Sequence, residues 1–304
     1  MPMDAVTGAF GYTGKYIARR LVNMGKAVIT LTGNTDRANE FGSLVKAFPF
    51  RFDDSEAMAV SLTGADTLYN TYWVRFDRRD ETHDRAVRNT IALIRAAKIA
   101  GVRRIVHISI TNPTLDSILP YFRGKALLED EIRLSEISYA IIRPTVIFGV
   151  EDILINNIAF LLRNLPAFII PGDGGYRLQP VYVEDVARIA VDAGQQSENV
   201  TVDAVGPEVF QFEQLVRLVA KTVESGTFLL NGPPGLALLA AKVLGLALAD
   251  VTLTSDELKG LMANLLVSDS VPTGQTRFSN WISENAGTLG RRYASEIARH
   301  YTVT

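Results

Sequence analysis

The chain has no cysteine, which excludes disulfides and thiolate metal sites and leaves its redox compartment unmarked. Histidine is scarce: His83, His107 and His300 are scattered without ligand spacing, so no dedicated metal site is expected. Charge of one sign is lacking too. A net charge of −2 gives no global attraction to nucleic acid, and no nucleic-acid partner is expected. The apolar stretch Gly235 to Ala249 is interrupted by Lys242 and two glycines, and is short of the roughly 20 residues that span a bilayer. It reads as a buried or substrate-facing helix, with peripheral membrane contact as the alternative. No internal repeat, low-complexity linker or disordered tail is present. With 304 residues, 47% hydrophobic and 21% charged, the chain suits a soluble protein with one large α/β domain, or a large domain and a small one.

What the chain does have is a glycine-rich opening, Val6-Thr7-Gly8-Ala9-Phe10-Gly11-Tyr12-Thr13-Gly14-Lys15. It follows a short apolar run and leads into Tyr16 to Met24, where Ile17, Leu21 and Val22 have helical spacing. A strand, a tight turn and a helix N-terminus form a cradle for a pyrophosphate. Glycines let the backbone approach the phosphates, while free N–H groups and the helix dipole attract their charge. The spacing is G-x-x-G-x-x-G, a variant of the usual dinucleotide fingerprint. Because it begins so near the N-terminus, no signal peptide is expected, and a cytoplasmic location is the default.

Strands are expected at Ala27–Thr32, Ala47–Phe52, Thr67–Tyr72 and Arg104–Ile110, with an amphipathic helix over Thr82–Ala100. An NAD site often has an acid about 20 residues past the glycines, on the ribose 2′-OH. Here the second strand ends in Thr32-Gly33-Asn34, and the first carboxylate is Asp36, beside Arg37. That leaves room for a 2′-phosphate paired with Arg37 or Lys15, so NADP is the expected cofactor and NAD the alternative. Both cations being merely solvated is the bland reading. Asp53-Asp54 after the third strand can cap a helix. Trp73 and its aromatic neighbours after the fourth can wall a ligand or belong to the core.

Pro120 opens the next helix, and Tyr121 and Lys125 lie four apart, on one helix face. A phenol with an ordinary pKa of about 10 is a poor acid or base near neutrality. An ammonium beside it favours the phenolate and lowers that value. Ser109, at the end of the fifth strand, can donate to a substrate oxygen where negative charge develops. Tyr121, Lys125 and Ser109 are therefore the candidate catalytic residues.

Taken together, the glycine loop and Tyr-x-x-x-Lys resemble the short-chain dehydrogenase/reductase superfamily over Val6 to Lys125. The likeness continues through Tyr139–Gly149 (Y-A-I-I-R-P-T-V-I-F-G), Pro171-Gly172-Asp173-Gly174 and Pro180–Ala187 (P-V-Y-V-E-D-V-A), as in extended members. It is nearest to the atypical branch of NmrA-like proteins and the NDUFA9-type subunit of respiratory complex I. Many members of that branch have lost the tyrosine and lysine, and this chain keeps both. The resemblance implies an α/β fold, a Rossmann-type doubly wound parallel sheet with a smaller C-terminal substrate lobe. Residues 1–150 would bind the dinucleotide, 176–205 would return to that domain, and 151–304 would mainly form the lobe. The resemblance places Gly8, Phe10, Gly11, Tyr12, Thr13, Gly14, Asn34, Arg37, Asp53, Asn70 and Lys125 on the dinucleotide, with Asp53 facing the adenine. It also marks Asn89 as a position where members often carry asparagine. Trp73, Asn157, Arg177 and Gln179 are substrate candidates by position, and Ala286–His300 reads as a terminal amphipathic helix.

Three classes of function follow. The first is an NAD(P)H-dependent oxidoreductase acting on a carbonyl or alcohol of an apolar small molecule, with Tyr121 moving the proton. The second is a non-catalytic NADP(H)-binding sensor or assembly subunit. The third is an epimerase or dehydratase, for whose second pyrophosphate Arg177 is the only well-placed cation. A small-molecule substrate is the expected partner, and a homodimer is a further expectation.

Overall fold

The structure, a computed structural model, describes residues 3–300. Seven parallel strands form its main sheet: β1 (Met3–Thr7), β2 (Ala27–Thr32), β3 (Val45–Pro49), β4 (Ala65–Asn70), β5 (Arg104–Ile108), β6 (Ser138–Pro144) and β11 (Val200–Ala204), in the order β11-β6-β5-β4-β1-β2-β3. Helices cover such a sheet, so its inner strands are nearly continuous apolar runs, and β5 is buried at every residue. The helices are α1 (Tyr12–Asn23), α2 (Ser55–Leu62), α3 (His83–Ile99), α4 (Pro120–Leu134) and α6 (Val183–Gly194). Helix α1 packs on α6, while α2, α3 and α4 pack in sequence. β1 pairs with both β2 and β4, so the strand order reverses there. Ligands of doubly wound sheets bind beyond the carboxyl ends of the strands at such a switch point. The expected fold class is the one observed.

Compact unit 1 comprises residues 3–144 and 183–204, and unit 2 comprises 145–182 and 205–300. Unit 2 holds the short strands β7 (Ile147–Phe148), β8 (Ala167–Pro171), β9 (Arg177–Leu178), β10 (Val181–Tyr182), β12 (Phe210–Gln211) and β13 (Phe228–Gly232). Its helices are α5 (Leu154–Asn164), α7 (Phe212–Thr222), α8 (Pro234–Leu248), α9 (Ser255–Met262), α10 (Phe278–Glu284) and α11 (Glu296–His300). Phe148, Leu162, Leu178, Leu215, Val219, Phe278 and Ile282 lie in one apolar cluster of this unit. Three strand pairs, β7–β10, β8–β13 and β9–β12, frame it.

Several expected boundaries shift for identifiable reasons. Helix α1 starts at Tyr12 rather than Tyr16, because the Gly11 N–H closes a turn onto the Gly8 carbonyl and Gly11 itself is the N-cap. The third strand ends at Pro49 rather than Phe52: after a last bond from the Phe50 N–H to the Thr32 carbonyl the chain leaves β2, and the Phe50 and Phe52 rings stack at 4.5 Å. Thr82 and Ala100, expected inside the third helix, are its two caps. The terminal helix is not continuous over 286–300. Turns follow α10, and Gly290 has a φ of +66°, where a Cβ would lie 2.5 Å from the backbone of Ala159 and Phe160. Only the five residues of α11 are helical at the end. Helix α8 is not buried: only Ala237 and Gly245 are, while Leu236, Leu239, Val243 and Leu246 face outward. Among the described residues no helix is long and apolar enough to cross a membrane.

One buried cation closes the lower part of unit 1. Arg104 is fully buried in β5, and its guanidinium donates to the carbonyls of Ala193 (2.9 Å) and Glu198 (2.7 Å) and to the Ser138 hydroxyl. It thereby ties β5 to the end of α6 and the segment before β11. Arg104→Met should lower stability by about 3 kcal/mol, because two carbonyls lose their donor in the interior. Arg104→Lys should recover only part of this, since one ammonium cannot reproduce the fork. Denaturant titration of the three proteins measures both effects.

Candidate functional site

The glycine loop joins β1 to α1 and is shaped by two close approaches. Gly8 has a φ of +64°, a left-handed conformation that glycine adopts without cost, and its N–H bonds to the Leu31 carbonyl at 2.9 Å. At Gly14 a Cβ would lie 2.3 Å from the Gly8 carbonyl oxygen, so only glycine lets α1 sit this close to β1. Gly11 differs: a Cβ there would meet only the Gly8 oxygen, at 3.1 Å, and would otherwise point into open space. No side chain caps α1 and no acid lies in its first turn. Its first N–H groups and dipole thus favour an anion. Phe10 is buried and stacks on Phe41, while Tyr12 and Thr13 are half-buried.

Around the loop, the second strand carries no carboxylate at its end. Thr32 bonds to the Asn34 backbone, and the Asn34 side chain accepts from the Asp36 N–H at 3.0 Å, forming an Asx turn. Arg37 is half-buried just beyond it, and Lys15 lies 5.4 Å from the centre of the Tyr16 ring. Asp54 caps α2 by accepting from the Ala57 N–H at 2.9 Å, which leaves Asp53 exposed. Phe50, Phe52 and Tyr72 form an aromatic cluster. Asn89 holds it in place by donating to the Tyr72 hydroxyl at 2.8 Å.

Asn70 is almost fully buried and belongs to a lock across three strand ends. It accepts from the Thr7 hydroxyl at 3.1 Å and from the Tyr72 N–H at 3.1 Å, and its amide meets His107 Nδ1 at 3.0 Å. Thr7 in turn accepts from the Thr71 N–H at 2.7 Å. Burial, and then the nearby Lys125, push His107 well below the usual histidine range, so the ring is neutral and can accept at Nδ1.

The three expected catalytic groups are placed unequally. Lys125 is buried, donates to the Ile108 carbonyl at 2.7 Å, and lies 4.4 Å from the centre of the Trp73 ring. Trp73 can cover it because Gly124 is next to it: a Cβ there would sit 2.8 Å from the indole. Burial pushes the lysine down to about 7, against the pull of Glu129. Ser109 is also buried, and its hydroxyl donates to Glu129 at 2.6 Å. Tyr121 is half-buried, edge-on to Trp73 at 5.5 Å and to His83 at 5.7 Å.

Glu129 is the residue that motif reading passed over. It is 1% exposed and accepts from Ser109, from Arg143 (2.9 Å at one oxygen) and from Arg133 (2.9 Å). Its spacing of four from both Lys125 and Arg133 was the available signal. Burial raises its pKa, but Arg143 and Ser109 outweigh that and hold it below the usual glutamate value.

In unit 2, the substrate candidates bind their own chain. Asn157 donates to the Ala294 carbonyl at 3.0 Å and accepts from its N–H at 2.8 Å. Gln179 is buried, donating to the Gly206 carbonyl at 2.8 Å and accepting from the Ser268 N–H. Arg177 is exposed on β9, and its N–H bonds to Asn264. Among the described residues no group of three or more His, Asp or Glu is arranged to hold a metal ion.

A parallel sheet with a glycine-cradled helix N-terminus at its switch point defines a nucleotide-binding Rossmann-type protein, and comparison agrees. Residues 8–152 match the NAD(P)H-binding family model. Over 226 residues the chain is 26% identical to the mitochondrial NADH dehydrogenase (ubiquinone) 1 alpha subcomplex subunit 9 of Arabidopsis thaliana, covering 70% of this chain and 56% of that protein. The chain thus spans less than two thirds of that relative's length. Among solved structures, the NADPH-dependent quinone oxidoreductase of Escherichia coli, complexed with NADPH, is similar with a TM-score of 0.74 at 22% identity, covering 94% of this chain and 99% of that one. The triphenylmethane reductase of Citrobacter sp., complexed with NADP(H), follows at 0.72 and 18%, covering 93% and 99%. At these identities the structures speak for the fold alone. The match to the NAD(P)H-binding family is carried by residues 8–152, and the chain has the Rossmann-type fold of NAD(P)-binding proteins.

The Glu129 cluster makes a pH prediction. A carboxyl whose pKa is lowered on folding contributes stability above its unfolded value of about 4.3, and loses it as pH falls through the folded value. Stability of the parent should therefore drop below about pH 4.5. Glu129→Gln should flatten that drop and cost about 1.5–3 kcal/mol at neutral pH, because charge-assisted bonds from Ser109 and Arg143 are lost while both arginines stay partly solvated and Arg133 keeps Asp130. Urea unfolding at a series of pH values tests both.

Proposed function

We propose that this chain binds a nicotinamide dinucleotide, with NADP(H) preferred, and carries it as a structural or sensing ligand rather than turning over a substrate. The observation that carries this reading is the commitment of two expected catalytic groups to the interior. A Ser109 hydroxyl proton directed at Glu129 is not available to a substrate oxygen. Lys125 is covered by Trp73 and donates to the Ile108 carbonyl, and burial lowers its pKa, which weakens its support for a Tyr121 phenolate. The likeness to a complex I subunit supports a role as an accessory or assembly component held by a larger partner. The phosphate cradle at Gly8, Gly11 and Gly14 supports the dinucleotide, and the turn at Asn34 with Arg37 beyond it supports the 2′-phosphate.

The second reading is an NAD(P)H-dependent oxidoreductase acting on an apolar carbonyl or alcohol. What favours it is Tyr121 itself, half-exposed on α4 one turn before Lys125. In that case Tyr121 would move the proton and Lys125 would hold the nicotinamide ribose.

Calorimetric titration with NADPH and NADH tests the first part. NADPH should bind more tightly, and Gly11→Val should abolish binding while the unfolding transition stays near the parent's, since that Cβ direction is open in the protein. Tighter NADH binding would overturn the preference, and binding of neither would overturn the site. Incubation with aldehydes, ketones and quinones tests the second part, with NADPH consumption as readout. No consumption is expected. Turnover that falls by ~10²–10⁴ in Tyr121→Phe would instead establish the oxidoreductase.

A further inference from the structure

Helix α8 ends abnormally. Ala249 occupies its C-cap with a φ of +51°, a left-handed conformation that usually belongs to glycine there. The chain then doubles back along the helix. At Gly245 a Cβ would lie 2.6 Å from the Asp250 carbonyl oxygen, so the returning segment is pressed against α8 at that point. Thr252 fixes it further along, donating to the Ala241 carbonyl at 2.8 Å. Between helix and returning segment, with Ile297 of α11 on the far side, lies a groove of about 480 Å³.

The lining decides what such a groove accepts. Leu238, Ala241, Leu246, Val251, Leu253 and Ile297 make it aliphatic, with no aromatic face for a flat ring. Its buried polar groups already have partners: both Asp250 oxygens accept N–H groups, from Glu296 at 2.9 Å and Ile297 at 3.1 Å. The remaining polar side chain of the lining, Ser255, is exposed, so a ligand body lying along the groove should be apolar. The other charge in the lining is Lys242, which is exposed. Its volume falls in the range of small-molecule sites, roughly 300–1,000 Å³. A bilayer surface would be recognised by a convex apolar face flanked by several cations. Helix α8 carries Lys242 alone, and the slot beside it is concave.

We propose that this groove is a second ligand site, for a free long-chain carboxylate whose chain lies between α8 and the returning segment and whose head meets Lys242. An ammonium is a point charge suited to one anionic group, and no guanidinium fork is present for a phosphate. The proposal is independent of the dinucleotide reading, since all of its residues lie in unit 2.

The test is titration of the full chain with oleate below its micelle-forming concentration, followed by calorimetry. One saturable site per chain is expected. Oleyl alcohol, and oleate with Lys242→Met, should each bind about three- to fivefold more weakly, as for a solvent-exposed ion pair. Ala241→Phe, which fills the groove, should weaken binding at least tenfold. Should that variant unfold in a thermal scan, Leu246→Trp serves instead, because Leu246 is 77% exposed and a larger side chain there closes the mouth without entering the core. The proposal is overturned by non-saturable binding, by an alcohol that binds as tightly as the carboxylate, or by indifference to both groove-filling variants. Co-sedimentation with anionic phospholipid vesicles, with no affinity for free oleate, would overturn it too and make α8 a membrane-docking helix.

Discussion

Everything at the dinucleotide end depends on how close α1 can come to β1. With no Cβ at Gly14, the helix sits against the Gly8 carbonyl, and its first N–H groups stand directly beyond the strand end. A single methyl at that point would meet backbone rather than a flexible side chain, so the contact could not relax locally. Gly8 and Gly14 are therefore constraints of the fold. Gly11, whose Cβ direction is otherwise open, is not held to glycine by packing of the fold.

The carboxyl ends of the central strands are held by two polar clusters. One runs from Thr7 through Asn70 to His107 and ties β1, β4 and β5. The other gathers Ser109, Arg133 and Arg143 on the Glu129 carboxylate, joining the end of β5 to α4 and β6. Each buries polar groups whose hydrogen bonds join neighbouring strand ends, although His107 Nε2 in the first cluster has no partner among the described residues. Rigid strand ends suit a bound dinucleotide. The two clusters also direct the Thr7 and Ser109 hydroxyls onto acceptors of the protein itself.

The fold class was legible because its signals are local. The glycine spacing, the apolar strands and the Tyr121–Lys125 interval each lie within a few consecutive residues. The partners of those residues were not legible, since Ser109 meets Glu129 twenty residues on, and Glu129 meets Arg143 a further fourteen on. Nothing in Tyr-x-x-x-Lys reveals that Trp73, arriving from the end of β4, will cover the lysine. Gly124 was the hint, because a glycine in mid-helix costs about 1 kcal/mol against alanine and here makes room for the indole. The exposure of helix α8 was not legible for another reason: a segment whose single charge is Lys242 has no polar face to show which side is covered.

The same distinction between a residue's type and its commitment separates the two units. Asn157 and Gln179 have the chemistry of ligand-binding amides, yet their donors and acceptors are matched to backbone groups of unit 2. Arg163 is similar, with its guanidinium on the carbonyls of Val223, Ala286 and Leu289. These side chains stitch together a unit whose strands come only in pairs and whose helices are joined by long turns. Ligand selection in the groove proposed beside α8 rests instead on shape and on its aliphatic lining.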